Sequence, residues 1–369
     1  MIEKQVLLDC TQAEMVERLV DLGEPSYRGR QVFRWLHKGV PFANMNNLPC
    51  HLRDRLEERF LDIPMSLHAY FPSQKDDTVK FLFVCGDGQI IESVLMNHHY
   101  GYTLCVSTQA GCRMSCAFCA SSMNGFQRNL SAGEMLSQVL LANRYLDNEA
   151  CIGHVVLMGS GEPLDNYDQT IRFLRLLNDT NGLGIGFRNI SLSTCGLVPF
   201  ITKLAEEEIP ITLSISLHAP NDGIRTQIMP IARKYPIQEL IGTARAYVKR
   251  TGRRVVFEYA LINDINSQPS HARELAGLIK GLQCHVNLIA LNHVAESPLA
   301  AADSSAIQVF LNTLTSLNIS ATCRKEMGAD ISGACGQLRH RYLKSGLKID
   351  TISAGSSLEG PIETINEVR

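Results

Sequence analysis

Apolar positions along the chain fall first at helical and then at strand spacing, and the change comes near residue 76. Over 11–22, Met15, Val16, Leu19 and Val20 share one helical face. Gly23 and Pro25 end that run, and a further helix is expected at about 50–60. Residues 78–84 and 89–96 then read as apolar strands around Gly86-Asp-Gly88, a hairpin signal. Beyond them, strand-like runs at 103–108, 154–158, 189–194, 211–217, 254–262 and 285–291 alternate with helical stretches such as 131–146, 167–178 and 236–249. Ser131 stands three residues before Glu134, which is a capping-box start. Repeated strand–helix alternation predicts an α/β fold with parallel strands and with function at their C-terminal ends. Six such units make a partial (β/α)6 barrel, and a last strand at 320–324 leads into a loop over 325–335. The expected organisation is a helical N-terminal domain at 1–75, the partial barrel with its leading β-hairpin at 76–340, and a loosely ordered tail at 341–369.

Composition changes this picture little. The chain has 369 residues, 45% apolar and 20% charged, so it can bury a large core. A net charge of -2 gives no field over the whole chain that draws it to nucleic acid, so an RNA surface must be a local patch. The 12 cysteines stand in a long chain that shows no signal-peptide start and no apolar run approaching the ~18 residues of a membrane span. Reduced thiols, a cytoplasmic location and no membrane partner are therefore expected. The candidate patch is 26–38, where Arg28, Arg30, Arg34 and Lys38 occur without an acid, alongside Tyr27, Phe33 and Trp35. Arginines grip phosphate and rings stack on bases. The same stretch also fits a helix that buries Val32, Phe33 and Leu36 and leaves a solvated basic face.

The strongest chemistry lies just after the first strand of the alternating series, in Ala110-Gly-Cys-Arg-Met-Ser-Cys-Ala-Phe-Cys-Ala120. Cys112, Cys116 and Cys119 stand in C-x3-C-x2-C spacing. Thiolates this close repel one another unless a cation sits between them. Three cysteines on a cubane iron–sulfur cluster leave one iron open, whereas a structural zinc needs a fourth ligand. A zinc-holding nucleic-acid module and an iron–sulfur electron carrier stay open on spacing alone.

The cysteine spacing with Phe118 before its last member resembles the radical S-adenosylmethionine (SAM) superfamily. Gly159-Ser-Gly-Glu-Pro-Leu164, Ser214-Ile-Ser-Leu-His-Ala-Pro-Asn-Asp222, Met229-Pro-Ile and Gly328-Ala-Asp-Ile-Ser-Gly-Ala-Cys-Gly-Gln-Leu338 narrow the likeness. Together they resemble the RlmN/Cfr family of RNA methyltransferases, over about 22–338. The resemblance implies a 4Fe-4S cluster on Cys112, Cys116 and Cys119, with SAM bound at its free iron. It also implies that Cys335 takes a methyl group from one SAM, while a second SAM yields the radical that turns this methyl into a methylene for adenine. Cys105 would resolve the protein–RNA adduct through a transient disulfide with Cys335. Glu92 matches the general base, and a carboxylate in an apolar strand is expected to have a raised pKa. Gly161, Glu162, Ser193, Ser216, Leu217, His218 and Asn292 match SAM contacts.

The implied substrate is carbon 2 of an adenosine in 23S rRNA, in tRNA or in both, with Cfr-like carbon 8 chemistry or another RNA as alternatives. An electron donor such as flavodoxin or ferredoxin is implied as well. No interface motif stands out, so a monomer is expected. Ser160, Ser121-Ser122, Ala232 and His293 depart from the usual pattern near the cofactor and substrate mouth.

Overall fold

The computed structural model describes residues 4–123, 125–146, 150–291, 299–324 and 327–331. Helix α1 (Gln12–Asp21) starts at Thr11, whose hydroxyl accepts the Glu14 amide at 3.3 Å while the Glu14 carboxylate accepts the Thr11 amide at 2.7 Å. This reciprocal cap satisfies two helix-start donors. Helix α2 (Ser26–Leu36) crosses α1 so closely that a Cβ on Gly29 would lie 2.5 Å from the Val16 Cα. It buries Gly29, Val32, Phe33 and Leu36, the face expected for a small core. Helix α3 (Cys50–Arg59) completes the helical unit.

The remaining described chain builds one ten-stranded sheet. Its strands are β1 (Met65–Pro72), β2 (Val79–Cys85), β3 (Ile90–His98), β4 (Gly101–Cys105) and β5 (Ile152–Leu157), followed by β6 (Ile190–Thr194), β7 (Thr212–Ser216), β8 (Val255–Leu261), β9 (Cys284–Ala290) and β10 (Ala321–Cys323). They lie side by side in chain order. Strands β1 to β4 pair antiparallel, and β4 to β10 pair parallel.

The parallel crossovers run through α4 (Ala132–Asn143), α5 (Tyr167–Asn178), α6 (Val198–Glu206), α7 (Asp222–Ile228) with α8 (Ile237–Thr251), α9 (Pro269–Leu278) and α10 (Ser304–Ser316). Six strand–helix units with a closing strand are the expected partial barrel. Strand β1 was not expected. It falls inside the stretch read as helical, and a register shift between Leu67 and Ala69 breaks the two-residue alternation that would have marked it.

The helical unit packs into the same apolar core as the sheet. Polar contacts pin the two together: Gly133 N donates to Asp9 Oδ1 at 2.5 Å, and Arg172 Nη1 donates to the Glu14 carboxylate at 2.6 Å. Among the described residues no helix is long and apolar enough to cross a membrane.

Candidate active site

The chain leaves the sheet after β4 and runs into the three-cysteine loop, which is closed at its base by a short ladder between Gln109–Ala110 and Arg128–Asn129. Gly111 makes the turn at φ +83°, and a Cβ there would sit 1.8 Å from the Gly125 carbonyl oxygen, so only glycine fits. Inside the loop, Cys119 N donates to Cys116 O at 3.1 Å, and Ala117 N donates to Ile228 O at the end of α7 at 2.9 Å.

Burial pushes the Cys112 thiol up to about 12, and the charges of Cys119, Glu162 and Asp165 push the same way. Burial also raises Cys116, with Cys119 and Cys112 adding to it. Cys112 and Cys116 thus feel each other and Cys119, and both hold their protons until a cation replaces them. That chemistry fits an iron–sulfur cluster. Among the described residues no three His, Cys, Asp or Glu side chains are grouped to hold a single metal ion. A cubane spreads its ligands over separate irons, so its thiols need not meet at one point.

The loop after β5 lies against the same strand end. A Cβ on Gly161, at φ +110°, would come within 2.7 Å of the Gln109 Cβ, and one on Gly159 within 2.6 Å of the Val106 oxygen. Glu162 is buried at 3% exposure. Its carboxylate accepts the Cys195 amide at 2.7 Å and the Leu164 amide at 3.0 Å. Burial raises its pKa and these bonds oppose the rise. Ser193 stands one residue before the end of β6 and Ser216 ends β7, both half-buried, with Leu217 buried just after β7.

His218 adopts φ +55°, an uncommon state for a residue with a Cβ. Its Nδ1 accepts the Ala260 amide at 2.9 Å, and its ring meets Phe118 of the cysteine loop edge-on at 4.7 Å between centroids. Burial lowers its pKa to about 3, so the ring is neutral near pH 7 and, with Nδ1 accepting, carries its proton on Nε2. Of these residues, Glu162 bears on Cys112 and Cys116, and His218 meets the cysteine loop through Phe118. Asn292 lies outside the described residues.

Glu92 and Cys105 share one small cavity with Ser107, Gly159 and Ser160. Its space of about 10 Å³ for water centres suits roughly one molecule. Glu92 does not stand alone in an apolar strand, as the sequence reading supposed. The fully buried Lys80 on β2 reaches its carboxylate at 3.2 Å.

A buried lattice of hydrogen bonds frames the cavity. The Gln138 amide of α4 accepts Ser107 N at 2.9 Å and donates to Ser107 O at 2.9 Å. Ser93 Oγ donates to Gln138 at 2.7 Å, Ser107 Oγ donates to Glu92 O at 2.7 Å, and Ser160 N donates to Ser107 Oγ at 2.9 Å. Met327 packs on Cys105, Val94 and Met96, and Asp330 accepts from Ser73 Oγ and Gln74 N at 2.7 Å each. The described chain stops at Ile331, so Cys335 lies outside it.

On α2, Arg30 and Arg34 are exposed and Arg28 is half-buried, and Lys38 just beyond its end is exposed. Tyr27 is exposed with Arg28 over its ring, and Lys38 lies over Trp35, whose Nε1 donates to Asn47 Oδ1 at 2.6 Å. The helix thus matches the second reading, with Val32, Phe33 and Leu36 in the core and its cations and Tyr27 towards water. Sequence reasoning missed Lys80, Arg225 and Glu258, all buried charged residues. Their signal was a lone charge inside an apolar stretch, as in Val79-Lys-Phe-Leu-Phe83 and Val255-Val-Phe-Glu-Tyr-Ala-Leu261.

Residues 6–61 match the ribosomal RNA large subunit methyltransferase N-terminal domain, and residues 106–276 match the radical SAM superfamily. The chain is 51% identical to the probable dual-specificity RNA methyltransferase RlmN of Alkaliphilus oremlandii, covering 93% of this chain and 100% of the relative. The Clostridium tetani protein of the same name is 48% identical, over 93% and 98%. A crystal structure of a radical SAM methyltransferase from Sphaerobacter thermophilus superimposes with a TM-score of 0.88 at 45% identity, covering 90% of this chain and 98% of that one.

Proposed function

Because this chain belongs to the RlmN family of radical SAM RNA methyltransferases, we propose that it methylates carbon 2 of an adenosine in 23S rRNA, in tRNA or in both. The observation that carries this reading is the sharing of one small cavity by Glu92 and Cys105, the latter ending the strand that feeds the three-cysteine loop. A carboxylate and a second thiol beside a cluster site have no use in an electron carrier or a zinc module. They do have a use where a carbon–hydrogen bond is exchanged for a carbon–carbon bond.

When bound on Cys112, Cys116 and Cys119, the 4Fe-4S cluster supplies the electron that cleaves SAM. When SAM is bound, Gly161 and Glu162 would hold its methionine amino group. Ser193, Ser216, Leu217, His218 and Asn292 line the rest of SAM, with His218 offering its Nε2 proton as a fixed donor. The Cys335 thiolate would attack the methyl carbon of one SAM, releasing the neutral thioether S-adenosylhomocysteine, and carry the methyl to the base, splitting one hard step into two. Glu92 takes the proton that carbon 2 gives up. Cys105 attacks the Cys335 sulfur, forming a disulfide and releasing the methylated RNA, and a thiol reductant restores both cysteines.

The basic face of α2 receives RNA phosphates. The electron comes from a donor such as flavodoxin or ferredoxin, and the chain acts as a monomer in the cytoplasm. Nucleoside mass spectrometry of rRNA and tRNA, from cells with and without the gene, tests the reading. Loss of 2-methyladenosine is expected, a change in 8-methyladenosine would move the chemistry to carbon 8, and no change in either would overturn the assignment.

A further inference from the structure

Arg225 on α7 is fully buried, at 0% exposure. Its Nη2 donates to Cys195 O at 2.7 Å and to Ser216 O at 3.3 Å, and its Nε donates to Leu217 O at 3.2 Å. These carbonyls lie at and just beyond the C-terminal ends of β6 and β7, where SAM contacts are placed. The remaining nitrogen, Nη1, is buried and has no hydrogen-bond partner. Arg225 makes no ion pair among the described residues, and the ionisable groups that bear on it are Cys195, Cys116 and Asp222. The Asp222 carboxylate is itself engaged by the Ile237 amide at 2.8 Å. Three residues beyond Arg225, Ile228 O receives the amide of Ala117, the neighbour of Cys116.

A buried guanidinium stays charged, and an interior donor without a partner is costly unless something else on the site uses it. A bracing role for the three carbonyls accounts for Nη2 and Nε. It leaves Nη1 and the charge without a purpose.

We propose that Arg225 is a charge partner of the iron–sulfur cluster, a buried cation beside the Cys116 arm of the loop that raises the cluster's reduction potential. The step is a one-electron reduction: an external donor gives one electron to the oxidised cluster, no bond breaks and no proton moves. The reduced state is one unit more negative, so a fixed cation favours it, and cluster potentials respond to net charge and to hydrogen bonds on sulfur. The proposal rests on placing the cluster at Cys112, Cys116 and Cys119.

The experiment is an anaerobic redox titration of the iron-loaded full chain with dithionite and mediators, read by electron paramagnetic resonance, with iron content and thermal melting measured on each variant. Arg225→Met should lower the equilibrium constant for reduction at least tenfold, which is 59 mV for a one-electron couple. Arg225→Gln, which keeps donors for the carbonyls but drops the charge, should do the same. Arg225→Lys should recover more than half of the shift. An iron-loaded Met or Gln variant with the wild-type potential would overturn the proposal and leave Arg225 a brace. If the Met variant does not fold, the Gln variant decides on the same criterion. Cys116→Ala serves as the control for placement: a wild-type cluster signal in that variant would remove the cluster from these cysteines, and the proposal with it.

Discussion

Lys80 and Glu92 face each other at 3.2 Å, the lysine fully buried and the glutamate nearly so. An ion pair in the interior contributes little net stability, but breaking one side of it costs about 3–5 kcal/mol because the other charge stays buried. Lys80→Met and Glu92→Gln should each lower unfolding free energy by about that amount in denaturant melts. The double variant should recover most of the loss and still lack methylation, with Glu92→Gln alone costing about 10²–10⁴-fold in rate. Full additivity of the two losses would show that the pair does not couple. At this scale the sequence announced the residues whose chemistry depends on neighbours in the chain. Cys112, Cys116 and Cys119 are legible because three thiols within eight positions have few uses. Lys80 and Arg225 are not legible as partners, because what each one meets comes from another strand or loop.

Among the elements, those with an unbroken period were readable to within a few residues, from α1 through the parallel strands. The ones that escaped have local causes. The bulge in β1 hides its alternation, and α7 spans only seven residues, held at its start by Asn221 Oδ1 accepting the Ile224 amide at 2.9 Å. The cysteine loop depends on an element too small to read in advance, the two-residue ladder at its base. Gly111→Ala tests it. A methyl directed at the Gly125 oxygen, at a positive φ, should add about 1–3 kcal/mol of local strain and shift the loop. The expected outcome is a clear fall in iron bound per chain with the far-ultraviolet circular dichroism of the wild type. Unchanged iron loading would mean that the loop does not need this turn.

Over the whole molecule, the helical unit and the sheet share one core, and the bonds of Asp9 and Glu14 to Gly133 and Arg172 fix the basic face of α2 relative to the strand ends. Reversing Arg30, Arg34 and Lys38 to glutamate should weaken RNA binding and flatten its salt dependence by about 0.7–0.9 per lost phosphate contact. SAM cleavage without RNA should stay as in the wild type. An unaltered salt slope would place the RNA elsewhere.

The amide of Gln138 occupies both main-chain groups of Ser107, much as a neighbouring strand would, and through Ser93 and Ser160 it reaches β3 and the glycine loop. Segments tied through one side chain should open together, as a single cooperative unit of the kind that hydrogen exchange resolves. The amides of Ser107 and Ser160 should therefore trade their protons for deuterium at a common rate, and Gln138→Leu should speed both at once. Separate rates would mean that each segment breathes alone.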